Sequence, residues 1–177
     1  GDITDFGVLE QYLTIYNILK KLHVPYISVI GNHDLTANGG KIYLQMFGEK
    51  NFSFIYKGYK FLFHDTNGRE YDFNGSVPNL FWMTDQLKDE VPKWFVGVSH
   101  VPPFDPDFDK TLELPYKDLL LSKPNFILSL HGHTHHQSDS YKYEDHVRYM
   151  TCNSVEKQKS CLLKLINGKV MMQLIPY

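Results

Sequence analysis

Apolar residues recur at helical spacing between Val8 and Leu22, at Leu9, Tyr12, Leu13, Tyr16, Leu19 and Leu22, which predicts a helix. Asp5 stands just upstream, placed to cap its first turn. Pro25 stops that pattern, and the run Tyr26–Ile30 predicts a strand leading directly into Gly31-Asn32-His33-Asp34. A short helix is predicted over Lys41–Phe47, after Gly39-Gly40. The runs Phe52–Tyr56 and Tyr59–His64, separated by Lys57-Gly58, predict a β-hairpin. Polar, glycine-containing Asp65–Val77 reads as a loop, and Pro78 opens a helix to about Asp89 with Leu80, Met83 and Leu87 on one face. Trp94–Ser99 predicts a strand ending at His100, followed by the proline-rich acidic loop Val101–Asp109. A short helix over Tyr116–Leu121 and a strand Phe126–Leu130, ending at His131, come next. Strand signals close the chain at Arg148–Cys152, Cys161–Ile166 and Val170–Leu174, with the turn Asn167-Gly168 between the last two.

Continuous apolar strands alternating with helices predict an α/β fold, and the hairpins predict mixed rather than purely parallel sheets. No repeat, low-complexity tract or linker divides the chain, and its 177 residues suit one domain with a sizeable core. Aromatics make up 15% of the residues, so that core is expected to be bulky. A net charge of -2 without any Lys/Arg block gives no strong nucleic-acid signal. No apolar run reaches the roughly 18 residues of a membrane span, and no signal pattern is seen. These absences favour the cytoplasm without fixing the compartment, and nothing in the pattern fixes an oligomeric state. Cys152 and Cys161 flank a predicted turn and are read as free thiols.

The chemistry collects where strands end. Ile30 runs into Gly31-Asn32-His33-Asp34, Val98-Ser99 into His100, and Leu130 into His131-Gly132-His133. Gly1-Asp2 precedes a helix, as another strand end would. In open α/β sheets ligands bind at the carboxyl ends of strands. Carboxylate oxygen, amide oxygen and imidazole nitrogen together suit divalent metals. A two-metal site needs one group that reaches both ions, and Asp2 is the acid placed for that role. Gly132 permits an unusual backbone angle that would let neighbouring histidines diverge. Spacing alone does not separate the pair His131 and His133 from the pair His133 and His135. His23 and His146 are read as surface or structural, and His64 as ambiguous.

These residues resemble the calcineurin-like metallophosphoesterase superfamily. Its motifs run Asp-x-His, Gly-Asp-x-x-Asp, Gly-Asn-His-Asp/Glu, a lone His, and Gly-His-x-His. Here Gly1-Asp2-Ile3-Thr4-Asp5, Gly31-Asn32-His33-Asp34, His100 and Gly132-His133-Thr134-His135 follow in that order. The resemblance selects His133 and His135 as the metal pair and leaves His131 as a second-shell or substrate-facing group. It implies a four-layer α-β-β-α sandwich with two mixed sheets and the metals at strand ends. It further implies that Asp2 bridges two divalent ions (Mn, Zn or Fe), that Asn32, His100 and His133 complete one of them, and that His135 binds the other. His33 would act at the leaving group, with Asp34 orienting it. The Asp-x-His motif and the strand that bears it have no counterpart in residues 1–177, so the expectation is that the natural protein continues upstream. Loss of such a strand would expose apolar edges.

Two cations roughly 3.5–4 Å apart activate a shared water and neutralise phosphoryl oxygens. The expected function is therefore metal-dependent hydrolysis of a small phosphate ester, with a phosphodiesterase preferred. A phosphomonoesterase of the same fold is one alternative, and a non-catalytic metal-binding interaction module is another. A deaminase or amidohydrolase would also cluster His and Asp, but the order of the motifs disfavours it. Arg69 and Tyr71 in one loop and Phe104 in another are expected to rim the cleft, with Arg69 a candidate clasp for a distal phosphate.

Overall fold

The computed structural model describes residues 1–177. Its helices are α1 (Leu9–Leu19), α2 (Asn32–Leu35), α3 (Gly39–Phe47), α4 (Leu80–Gln86) and α5 (Lys110–Leu121). Its strands are β1 (Phe52–Tyr56), β2 (Tyr59–Phe63), β3 (Trp94–Val98), β4 (Phe126–His131), β5 (Ser138–Ser140), β6 (Arg148–Thr151), β7 (Lys159–Ile166) and β8 (Lys169–Pro176). A six-stranded sheet has the order β1-β2-β3-β4-β6-β5, and β7 and β8 form a second, two-stranded sheet. Neighbours β2, β3, β4 and β6 are parallel, whereas β1 and β5 join at the edges antiparallel. The fold is thus mixed α/β with two sheets, as expected. The β7–β8 sheet is a long antiparallel hairpin closed at Asn167-Gly168.

Side-chain alternation explains the layering. Phe95 of β3 and Tyr149 of β6 face a core shared with Met83 and Leu87 from the α4 side and with Tyr116 and Leu120 of α5. Their neighbours Val96 and Met150 face the other way, with Leu128, against Leu163, Leu165, Val170 and Met172 of the hairpin. Each fully buried side chain of this kind contributes roughly 1.5–3 kcal/mol, whereas an exposed ion pair such as Lys88–Asp85 contributes about 0–1. Helix and hairpin are held to opposite faces of the large sheet by apolar burial. A third cluster, Tyr12, Ile30 and Tyr43, joins α1 to α3.

Several local expectations change. Tyr26–Ile30 forms no strand. A strand requires a neighbouring backbone, and this segment receives only side-chain donors: Tyr43 Oη donates to the Ser28 carbonyl and Asn67 Nδ2 to that of Ile30. Tyr26 and Ile27 remain 40% and 49% exposed, so apolar surface stays uncovered here. Asp5 does not cap α1; the Gln11 side chain accepts from the Phe6 N–H instead. Helix α5 begins at Lys110 rather than after Pro115, because the Asp109 carboxylate accepts from the Thr111 N–H and fixes the first turn. The short strand β5 carried no apolar pattern to announce it.

Candidate metal centre

Parallel alignment brings the carboxyl ends of β2, β3, β4 and β6 to one edge of the sheet, and each chain reversal there is fastened by backbone hydrogen bonds. The His64 N–H donates to the Val98 carbonyl, Ser99 to Leu130, Gly132 to His100 and Cys152 to His131. These bonds set His100 beside the His133 loop, with ring centroids 5.2 Å apart. The Gly1–Asp5 segment closes over them. Asp34, fully buried, accepts from the N–H groups of Ile3, Thr4 and Gly31 and from the Thr4 hydroxyl. Gly31 must be glycine at this point, because a Cβ there would collide with the Asp2 carboxylate and backbone.

Asp2, His100 and His133 consequently offer ligand atoms within 4.8 Å of one another. Asp2 Oδ2 lies 3.0 Å from His100 Nε2, and Asp2 Oδ1 accepts from the His33 N–H at 3.0 Å. Asn32 Oδ1 is 3.1 Å from His133 Nδ1. His100 is 3% exposed, yet its Nε2 makes no hydrogen bond of acceptable geometry; Asp2 is near but off line. An unsatisfied buried nitrogen next to a carboxylate and an amide oxygen is the arrangement a divalent cation completes. The residues present fit such an ion. Burial alone would lift the Asp2 carboxyl, but His100 and the His33 N–H outweigh it and hold it below its ordinary value. Burial likewise lowers His100, with Asp2 opposing, so the neutral, ligating imidazole is favoured.

Three of the ten non-glycine residues with left-handed φ lie at this site. Asp2, His133 and His135 have φ values of 56°, 66° and 54°. Left-handed geometry in non-glycine residues costs about 1–3 kcal/mol each and clusters at functional sites. Gly132, the residue expected to supply the unusual angle, does not; its two histidine neighbours in the motif do. That backbone turns the His133 ring towards Asn32.

The remaining sequence candidates fall into different places. His33 is exposed, and its Nδ1 lies 2.9 Å from the Asp5 carbonyl, which lifts its pKa above the usual value. Asp34 does not orient that ring, since its oxygens are taken up by the Ile3, Thr4 and Gly31 bonds; it acts on the site by tying two loops together. His135 is exposed and lines the same cavity of about 560 Å³ without entering the compact ligand group. His131 has no nitrogen available: Ser99 Oγ is 2.9 Å from its Nδ1 and Ser129 Oγ 2.9 Å from its Nε2. Arg69 is paired with the Asp107 carboxylate.

Asp105 and Asp107 are the neighbours that sequence reasoning missed. Their carboxylates lie 3.5 and 3.3 Å from His133 Nε2. The Asp-x-Asp spacing in the acidic loop just after His100 was the available signal.

The chain is 47% identical over 38 residues to a probable cyclic nucleotide phosphodiesterase of Xenorhabdus bovienii, a match covering 22% of this chain and 15% of that protein. In fold it is similar to GAP50, the anchor in the inner membrane complex of Plasmodium, with a TM-score of 0.64 at 14% identity, covering 88% of this chain and 62% of that one. The chain thus spans less than two thirds of either relative. The family description "Calcineurin-like phosphoesterase" matches residues 1–137, which include every motif of the site. This chain belongs to the calcineurin-like phosphoesterase family.

Proposed function

We propose that this protein hydrolyses small phosphate esters with divalent metal ions, and that phosphodiesters are its substrates. The reading treats residues 1–177 as one catalytic domain. The observation that carries it is the unsatisfied, buried His100 Nε2 facing Asp2 within a ligand group that His133 and Asn32 complete. Asp2, Asn32, His100 and His133 would hold one ion, and His135, on the wall of the same cavity, would belong to a second. When bound, a divalent cation offsets charge on the phosphoryl oxygens and acidifies water.

The chain's own residues supply the rest. With Nδ1 donating to the Asp5 carbonyl, the exchangeable proton of His33 sits on Nε2. That same hydrogen bond first, and the surrounding carboxylates after it, favour the protonated ring, which suits His33 to protonate a departing oxygen. Asp34 keeps the Asp2 and Asn32 segments in register through its backbone bonds. The preference for diesters draws on the phosphodiesterase relative, a short match, and on the family.

The test is a panel of a phosphomonoester, a phosphodiester and cyclic nucleotides, each assayed with Mn and with Zn. Diester hydrolysis without monoester hydrolysis is expected; the reverse preference would move the assignment to a phosphomonoesterase. His33→Ala should slow turnover roughly 100-fold or more while leaving metal content unchanged. An unaltered rate would remove His33 from the mechanism.

A further inference from the structure

His133 is gripped on both edges of its ring. Nδ1 faces Asn32 Oδ1 at 3.1 Å, and the residue belongs to the group with Asp2 and His100. Nε2 faces Asp107 Oδ2 at 3.3 Å and Asp105 Oδ1 at 3.5 Å. A neutral imidazole carries one hydrogen, and carboxylate oxygens act as acceptors. Placing the hydrogen on Nδ1 would leave a bare Nε2 lone pair against two carboxylates. Placing it on Nε2 directs it at those carboxylates and leaves Nδ1 bare, facing the Asn32 oxygen. The Nε2 contacts are ion-pair contacts rather than hydrogen bonds, yet two carboxylate charges attract that hydrogen more strongly than one neutral amide oxygen does, so the second tautomer wins.

The two carboxylates are themselves fixed. Asp105 Oδ1 accepts from the Asp107 N–H at 2.9 Å, closing a tight turn. Arg69 pairs through its guanidinium with the other oxygen of Asp107, and the Arg69 N–H donates to the Asp107 carbonyl at 3.1 Å. Asp107 is 7% exposed. The guanidinium offsets the charge of Asp107 and leaves that of Asp105 facing His133. Arg69 is accordingly committed to the loop, and a distal substrate charge would have to displace Asp107 from it.

We infer that Asp107, aided by Asp105 and braced by Arg69, is the positioning residue that holds His133 as the Nε2–H tautomer and so presents Nδ1 to the metal ion. This rests on the reading of His133 as a metal ligand. Outer carboxylate partners of ligating histidines raise ligand basicity, and their loss weakens metal binding about 10–100-fold.

Two measurements on the whole chain test the inference. Long-range ¹H–¹⁵N NMR of the metal-free protein reads the His133 tautomer, and calorimetric titration with Zn or Mn reads affinity. In the parent protein Nε2–H is expected. Asp107→Ala should yield mixed or Nδ1–H tautomers and bind metal roughly 10–100-fold more weakly. Asp107→Asn, which keeps an acceptor oxygen and the shape of the loop but removes the charge, should lie between Asp107→Ala and the parent in both tautomer and affinity. Arg69→Ala should fall between the parent and Asp107→Ala in affinity. An unchanged tautomer and unchanged affinity in Asp107→Ala would overturn the proposal, as would a folded Asp107→Asn no closer to the parent than Asp107→Ala in both readings. His133→Ala separates the two layers: if it leaves metal affinity intact, the assignment of His133 as ligand fails, while the tautomer result still decides the positioning claim.

Discussion

His100 and His131 stand at the ends of adjacent parallel strands, and each is 3% exposed. Their surroundings differ. His131 is complete: two serine hydroxyls meet its two nitrogens, and it continues a buried network through Ser129 and Tyr116 to His64. His100 is incomplete, with Nε2 unsatisfied beside Asp2. Burial lowers the pKa of both rings, and only His100 has a carboxylate opposing it. Burial therefore does not mark a metal ligand. What marks it is a nitrogen left open towards other lone-pair donors, a condition that costs free energy until a cation arrives.

The largest effect that would break this contrast is expected from Asp2→Ala. Removing the carboxylate opposite His100 should weaken Zn or Mn binding by more than roughly 100-fold, beyond what loss of an outer partner achieves. Hydrolysis should fall with it. Binding within a few-fold of the parent in a calorimetric titration would show that Asp2 is not a ligand.

The next effect lies on the completed side and is read as pH dependence. Burial, with the Leu62 carbonyl opposing it, drives the His64 pKa down from 6.5 to about 4. Between those values the unfolded chain holds more protons than the native one, so stability is fully present above pH 6.5 and is lost as pH falls through 4. The loss from His64 approaches about 3 kcal/mol once pH is below both values. Denaturant melts of the metal-free protein across this range should slope accordingly, and His64→Gln should lessen the slope without abolishing it, because buried His100 and His131 act in the same direction. A parent curve without slope would contradict the buried neutral ring.

Tyr116→Phe gives a smaller effect and sharpens the comparison. The Tyr116 hydroxyl stands 3.0 Å from His64 Nε2 and 3.3 Å from Ser129 Oγ. Its removal should destabilise the fold by about 1–3 kcal/mol in denaturant unfolding while leaving metal affinity unchanged. A parallel loss of affinity would mean that the two histidine environments are one.

Hydrophobic patterning made the hairpin Phe52–Phe63, the strands ending at His100 and His131, and the closing hairpin legible from the chain alone, because each is an apolar run bounded by polar or turn residues. Tyr26–Ile30 looks equally strand-like, yet a strand is a property of a pair, and one segment's pattern does not reveal whether a partner lies alongside. Helix α5 extends upstream of the expected Tyr116–Leu121 because the Asp109 carboxylate caps it, and the weight of that cap is not visible in the chain alone. At the site, no strand leads into Asn32, whereas the placement of His100 and of the His131–His133 loop at the ends of β3 and β4 was readable. The division between His131 and His133 was not: both are histidines one residue apart from another histidine, and hydroxyls supplied by Ser99 and Ser129 decide which ring is complete. The family resemblance implies that Asp34 orients the His33 ring, whereas folding turns it towards Ile3 and Thr4.

The central claim is that Asp2, Asn32, His100 and His133 form a metal centre, with His131 outside it. The most direct measurement is a titration of the cobalt-substituted protein followed by visible absorption, in the parent, in His100→Ala and in His131→Ala. The ligand-field bands should saturate in the parent and disappear in His100→Ala. They should persist at the same wavelengths in folded His131→Ala. Bands that survive in His100→Ala and vanish in a folded His131→Ala would contradict the account.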